Sequence, residues 1–154
     1  MKTLQLLSIL AAPLLFSNCR ETKHKLAEAK QKVATVGDVS FARKTFESLA
    51  RGDSAVADKI DWPVFTSLGE NLGAAYVAIA SGVEKEKFVT GFITQFSISF
   101  RESGGSIENF TNWRVSFHDA LKTEVAADSA NGVLTVTVSE RDGVERVSSI
   151  NIVK

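Results

Sequence analysis

Apolar residues recur at helical spacing through residues 38–101 of the chain, and they alternate with polar residues from about residue 113 onwards. The helical spacing predicts a first helix with Asp38 or Ser40 as its N-terminal cap. A shorter helix is predicted after it, with Asp53 or Ser54 as its cap. The N-terminal half of the fold is therefore expected to be helical.

Pro63 is predicted to begin a third helix, because proline lacks the N–H that would have no partner at the first helical position. The apolar residues on its predicted core face are Phe65, Leu68, Leu72, Ala75, Tyr76 and Ile79. Gly69 and Gly73 lie four residues apart on this helix and are expected to let another backbone approach closely. No strand or hairpin is predicted between Trp62 and Glu84.

The most apolar helix is predicted from Glu84 to about Arg101. Phenylalanine recurs in it at every fourth position, at Phe88, Phe92, Phe96 and Phe100. Rings at this spacing stay on one broad face of a helix, and we interpret them as core residues that cover a sheet. A strand is the alternative for residues 94–100, where apolar and polar residues alternate, and we favour the helix.

Four antiparallel strands are predicted in the last third of the chain, where apolar residues occupy every second position. The predicted strands cover about 113–118, 121–125, 133–139 and 144–153, with turns at 128–132 and 141–143. Helices followed by such a meander, which needs a cover on one face, predict an α+β fold.

The register of the last hairpin depends on the length of its loop. A two-residue loop at 142–143 would place Ile150 on the polar face of the sheet. A three-residue loop with a left-handed Gly143 would pair Glu140 with Val144 and place Ile150 among the apolar residues. We favour the three-residue loop because it keeps one face apolar.

One stretch of the chain resembles a known superfamily. A helix is broken by Gly-Asp into a second short helix in the stretch Phe46-Glu47-Ser48-Leu49-Ala50-Arg51-Gly52-Asp53. This resembles the opening of the nuclear transport factor 2-like superfamily of cystatin-like α+β domains, and the likeness spans roughly 38–154. The resemblance implies a curved, four-stranded antiparallel sheet that wraps a long helix into a cone.

The N-terminus has the order of a bacterial prolipoprotein signal. Lys2 supplies a positive start, residues 4–16 are mostly apolar, and the only cysteine of the chain, Cys19, follows closely. Thirteen residues make about 20 Å of helix, which is short for a bilayer core of about 30 Å. The resemblance implies cleavage between Asn18 and Cys19 and lipid on the Cys19 thiol.

This resemblance predicts how the chain is organised and where it works. Residues 1–18 would be the signal peptide, 19–36 a lipidated tether and 37–154 one α+β domain. The protein would lie in the cell envelope on the periplasmic or extracellular face, and Arg20 favours the outer membrane over the inner one. The alternative is that Cys19 is an incidental thiol at the end of an ordinary secretory signal.

Charge and composition narrow the partners. Without residues 1–18, which contain one lysine, the chain has 17 basic and 18 acidic residues and a net charge of −1. Nucleic-acid binding is not expected, because it needs a basic excess. No metal or other cofactor is expected, because the predicted domain has no cysteine and only one histidine, His118. The expected partners are the membrane, through Cys19, and a protein of the envelope.

The resemblance to the cone-shaped superfamily offers His118, Asp119 and Tyr76 as weak candidates for proton transfer. His118 and Asp119 are consecutive strand residues, so they point to opposite faces unless a bulge intervenes. We therefore favour a non-catalytic domain that binds a protein partner or a small apolar ligand. The candidate residues for a pocket lining are Phe92, Phe96, Trp113 and Phe117. The alternatives are a small isomerase- or dehydratase-like enzyme that uses His118, and a purely structural envelope protein.

Overall fold

Helices pack on an open, curved sheet of six strands in residues 36–153, which are the residues that the computed structural model describes. The helices are α1 (36–51), α2 (Leu72–Ala78) and α3 (Gly82–Glu102), with short 3-10 helices at Ser54–Lys59, Trp62–Val64 and Ile107–Asn109. The strands are β1 (Thr66–Ser67), β2 (Glu70–Asn71), β3 (Thr111–His118), β4 (Lys122–Ser129), β5 (Gly132–Arg141) and β6 (Val144–Val153).

The strands lie in the order β2-β1-β6-β5-β4-β3. β1 and β6 run parallel, and every other neighbouring pair is antiparallel. The predicted α+β class is confirmed, with a mixed sheet of six strands in place of the four predicted ones. The two additional strands, β1 and β2, are short and come from a segment that was predicted to be helical.

Several predictions concern residues outside the described part of the chain. They are the signal peptide 1–18, cleavage beside Asn18, lipidation of Cys19 and the tether up to residue 35. Within residues 36–153, none of the helices has the length and apolar character needed to cross a membrane.

Helix α3 is continuous through residues 94–100, so the prediction of a helix there is confirmed and the alternative of a strand is wrong. Ser81 caps it by accepting a hydrogen bond from the Glu84 N–H at 3.3 Å. In α1, Asp38 and Ser40 lie inside the helix, so neither is its cap. Asp53 does cap the segment after α1, accepting from the Ala55 N–H at 3.0 Å, but that segment is a 3-10 helix.

The helix predicted from Pro63 is wrong over residues 65–71, where β1 and β2 form a hairpin. Its turn places Leu68 and Gly69 at φ 49° and 87°, which is left-handed backbone that a helix does not contain. The Leu68 N–H donates to the Ile150 carbonyl of β6 at 2.9 Å. Pairing with a distant strand has thus overridden the local helical spacing.

The last hairpin has a two-residue loop, so the predicted three-residue loop is wrong. Asp142 and Gly143 are both left-handed, with φ 56° and 74°, and Arg141 pairs with Val144. A β-bulge in β6 adds one residue between Val147 and Ser149. The bulge restores the side-chain alternation.

Because of this bulge, Ile150 lies opposite Val136 on the apolar face of the sheet, as the favoured register required. The core lies between this face and the helices. Its largest fully buried side chains include Phe46, Leu49, Val56, Phe65, Val125, Leu134, Val136, Val147 and Ile150.

Candidate functional site

An apolar groove of about 480 Å³ lies between α3, the β1–β2 hairpin and the strands β5 and β6. The residues that line it are Phe46, Ser67, Leu68, Glu70, Leu72, Phe92, Gln95, Phe96, Ser99, Phe100, Ser103, Leu134, Ile150 and Ile152. At its rim, Leu68 is 57% and Ile152 39% exposed, so the groove opens to solvent there. Its volume falls within the range of about 300–1,000 Å³ that is usual for small-molecule sites.

One wall of the groove is a ladder of phenylalanine rings on α3. The ring centroids of Phe92 and Phe96 are 5.9 Å apart, and those of Phe96 and Phe100 are 6.4 Å apart. Phe46 of α1 packs edge-to-face against Phe96 and Phe100, with centroids at 6.5 and 5.8 Å. Because these contacts favour one orientation of each ring, the wall is formed before any ligand arrives.

The opposite wall is the β1–β2 hairpin. The Leu68 N–H bond to the Ile150 carbonyl ties the hairpin to β6, and a 2.9 Å hydrogen bond joins the Thr66 and Ser149 hydroxyls. Leu68 has a left-handed backbone, which costs a residue other than glycine about 1–2 kcal/mol. The turn that imposes this strain holds an exposed leucine at the mouth of the groove. Strained residues of this kind tend to occur at binding sites.

Few polar groups enter the groove. Ser67 is only 6% exposed, and its hydroxyl forms no side-chain hydrogen bond with another residue in 36–153. Along α3, Gln95 Nε2 donates to Ser99 Oγ at 3.1 Å. Of the described residues that line the groove, Glu70 is the only charged one. The groove therefore combines an apolar interior with an uncharged hydrogen-bonding group at depth.

A second, polar cleft lies where the β3–β4 and β5–β6 turns meet α1, and it contains His118 and Asp119. Thr123 Oγ1 donates a hydrogen bond to Asp38 Oδ2, and His118 Nδ1 lies 2.8 Å from the same hydroxyl. A hydroxyl has one proton, so Nδ1 is the donor to Thr123. The Nδ1 atom of His118 is therefore used in this bond, and the lone pair of a neutral imidazole then lies on its other ring nitrogen, Nε2.

The carboxyl groups of this cleft differ in their acidity. Partial desolvation raises the pKa of the largely exposed Glu145, and the nearby charge of Asp38 raises it further. Hydrogen bonds from the backbone N–H groups of Leu121 and Lys122 lower the pKa of Asp119. Asp119 therefore serves as an acceptor that closes the β3–β4 turn.

The three candidates for proton transfer do not converge. Tyr76 packs against Trp62 and Phe88, with ring centroids at 6.1 and 6.2 Å, and the Lys85 ammonium lies 4.9 Å from its ring centre. His118 instead lines the polar cleft, and Tyr76 is not among that cleft's lining residues. Residues 36–153 contain no group of three or more metal-ligating side chains that could hold a metal ion.

Two of the four candidate pocket residues, Phe92 and Phe96, line the apolar groove. Trp113 packs against Phe46 and donates its indole N–H to the Phe110 carbonyl at 3.2 Å. Phe117 is 44% exposed, and the Lys122 ammonium lies 5.2 Å from its ring centre.

Ser67, Leu68 and Ile152 line the groove but were not predicted as site residues from the sequence. A signal for the hairpin was present in the Leu68-Gly69 step, since glycine supplies the left-handed backbone that a two-residue turn needs. The assignment of both residues to a helix concealed it.

Comparisons with known proteins return no match: no family model matches the sequence, and neither curated proteins nor solved structures match significantly.

Proposed function

We propose that this chain is a membrane-anchored envelope lipoprotein whose domain is non-catalytic and binds a small apolar ligand in the groove beside α3. The observation that carries the binding proposal is the preformed ladder of Phe92, Phe96 and Phe100, which borders about 480 Å³ of accessible space. A buried methylene group contributes about 0.8 kcal/mol to binding. An alkyl chain in the groove can therefore offset the cost of association.

We further propose that the domain is a cone of the nuclear transport factor 2-like kind. The support is the position of α3, whose phenylalanines pack on the cluster of residues buried against β4, β5 and β6. The early β1–β2 hairpin, which the sequence pattern did not indicate, adds to this support by extending the sheet along β6. The groove would then be the mouth of the cone.

The anchor part of the proposal rests on residues 1–20, with Cys19 as the lipid attachment site. Mass spectrometry of the protein purified from its native membrane tests it. We expect a mature chain that begins at Cys19 and carries the mass of a diacylglyceryl group and an amide-linked acyl chain. A free thiol, or a first residue other than Cys19, would refute the anchor and leave the binding proposal unaffected.

Binding is tested with the full chain carrying Cys19→Ser, which cannot accept lipid. N-phenyl-1-naphthylamine, an uncharged probe that fluoresces in apolar surroundings, is titrated into it. We expect saturable fluorescence enhancement. The substitution Ile152→Lys should lower the affinity for the probe at least about tenfold. The reason is that an ammonium group in the groove must either lose its water or exclude the probe.

The matched control is Val153→Lys, one residue further along β6. Val153 is 55% exposed, and it points to the other face of the sheet because side chains alternate along a strand. We expect the Val153→Lys variant to bind the probe with the same affinity as the parent. Absence of saturable binding by the parent, or equal affinity in the Ile152→Lys and Val153→Lys variants, would refute the groove as the binding site.

A further inference from the structure

We infer that the groove selects an uncharged, single-chain amphiphile, such as a monoacylglycerol, over an anionic lipid of the same chain length. This rests on the proposed binding function and specifies its ligand. Two observations carry it: the Ser67 hydroxyl, whose residue lines the groove and which forms no side-chain hydrogen bond with another residue in 36–153, and the sign of the charge at the mouth of the groove.

Ser67 supplies the hydrogen bond. It is 6% exposed and lines the groove, while its neighbour Thr66 uses its hydroxyl in a bond to Ser149. A ligand that covered this hydroxyl without bonding to it would leave it desolvated and unpaired, which is unfavourable. An ester or hydroxyl group of a ligand would remove that cost, whereas a plain hydrocarbon would not.

The charge at the mouth of the groove disfavours the binding of anionic lipids. Glu70, an acidic residue, is the only charged one among those described in the lining. A carboxylate or phosphate headgroup would lose water on entering the groove and would find a like charge there. An uncharged headgroup avoids both costs.

The rim of α3 offers uncharged partners for such a headgroup. Gln95 donates to Ser99, and neither the Gln95 amide oxygen nor the Ser99 hydroxyl proton forms a hydrogen bond with another residue in 36–153, so both can bond to a ligand. Ser103 lies one turn further along the same lining. The volume of about 480 Å³ lies in the lower half of the usual range for ligand sites, which suits one chain better than two.

The test is competition against N-phenyl-1-naphthylamine on the full chain carrying Cys19→Ser, at pH 8. The two competitors are monododecanoylglycerol and dodecanoate, which share one acyl chain and differ in headgroup charge, both used below their critical micelle concentrations. We expect the glycerol ester to bind at least about tenfold more tightly than the anion. The Glu70→Gln variant should bind dodecanoate more tightly than the parent does, so the difference in affinity between the glycerol ester and dodecanoate should become smaller.

Ser67→Ala tests the hydrogen bond. Loss of one neutral hydrogen bond should weaken binding of the ester about 2- to 12-fold, and the probe, whose binding is dominated by its rings, should keep its affinity. Ser67→Thr keeps a hydroxyl and should restore ester binding. Thr66→Ala, which removes the neighbouring hydroxyl, is the control for general damage to the hairpin.

The outcomes separate the two proposals. Dodecanoate binding as tightly as the ester, or an ester affinity that is the same in Ser67→Ala and the parent, would overturn the ligand assignment while probe binding upholds the groove. Absence of binding by the probe and by both lipids would overturn the groove and the ligand assignment together.

Discussion

The same substitution, glycine to alanine, is expected to have opposite effects at two helical positions. Gly91 lies in the interior of α3, and a Cβ atom built on it meets no atom of residues 36–153 within 4 Å. Gly73 lies in the first turn of α2, and its Cβ would fall 2.6 Å from the Pro63 carbonyl oxygen and 2.9 Å from the Val64 Cα.

Helix propensity favours alanine at both sites by about 0.5–1 kcal/mol. At Gly91 no contact with the described residues opposes this gain, so Gly91→Ala should raise the free energy of unfolding by about that amount. At Gly73 the contacts are with backbone atoms, which cannot move aside as a flexible side chain can. Overpacking of this kind costs about 1–3 kcal/mol, so Gly73→Ala should lower the free energy of unfolding by about 1–2 kcal/mol.

The measurement is urea unfolding of the full chain carrying Cys19→Ser, followed by tryptophan fluorescence. Both Trp62 and Trp113 pack within or against the core, so unfolding should change their emission. Equal m-values among the variants would show that the midpoints report stability. Stabilisation by Gly73→Ala, or destabilisation by Gly91→Ala, would refute the reasoning from Cβ contacts.

Two further predictions concern side chains. The pKa of Glu145 is raised in the folded state, so the native state holds the proton more tightly than the unfolded chain does. The free energy of unfolding therefore falls as the pH rises from about 4.3, the ordinary pKa of glutamate, through the raised pKa. Glu145→Gln should remove this loss of stability. Because Glu145 is exposed and screened by solvent, Glu145→Gln should raise the free energy of unfolding at pH 7 by at most about 1 kcal/mol, and this increase should vanish near pH 4. An increase that persists at pH 4 would contradict the assignment of the effect to a raised pKa of Glu145. Asp53→Ala removes the acceptor for the Ala55 N–H and should cost about 1 kcal/mol in urea unfolding, whereas Asp53→Asn should cost less; an equal loss in both would rule out the cap.

Local sequence patterns were enough to predict two kinds of element. One is a helix, whose hydrogen bonds join residues close in the chain, and the other is a strand whose side chains alternate between two faces. The fourfold phenylalanine spacing predicted α3, and alternation predicted β3 to β6. Gly73 also allows the close backbone approach that was predicted for it, whereas Gly69 occupies the left-handed turn of the β1–β2 hairpin. The α+β class followed from these elements.

The candidate site was predicted only in part, because its two walls have different origins. Phe92 and Phe96 come from one helix, so their spacing was sufficient to propose them. Ser67 and Leu68 enter the groove through parallel pairing of β1 with β6, at register positions about 80 residues away in the chain. No periodicity within residues 63–79 reports that pairing, and Leu68 fits an amphipathic helix equally well.

The sequence by itself determined the long apolar helix and the four-strand meander, because each depends on residues close together in the chain. Only the tertiary structure decided the early hairpin, the bulge beside Val147 and the groove between Ser67 and Phe96. These features depend on hydrogen bonds and packing between segments that are distant in sequence. The free energy of those contacts outweighs the local preference of each segment.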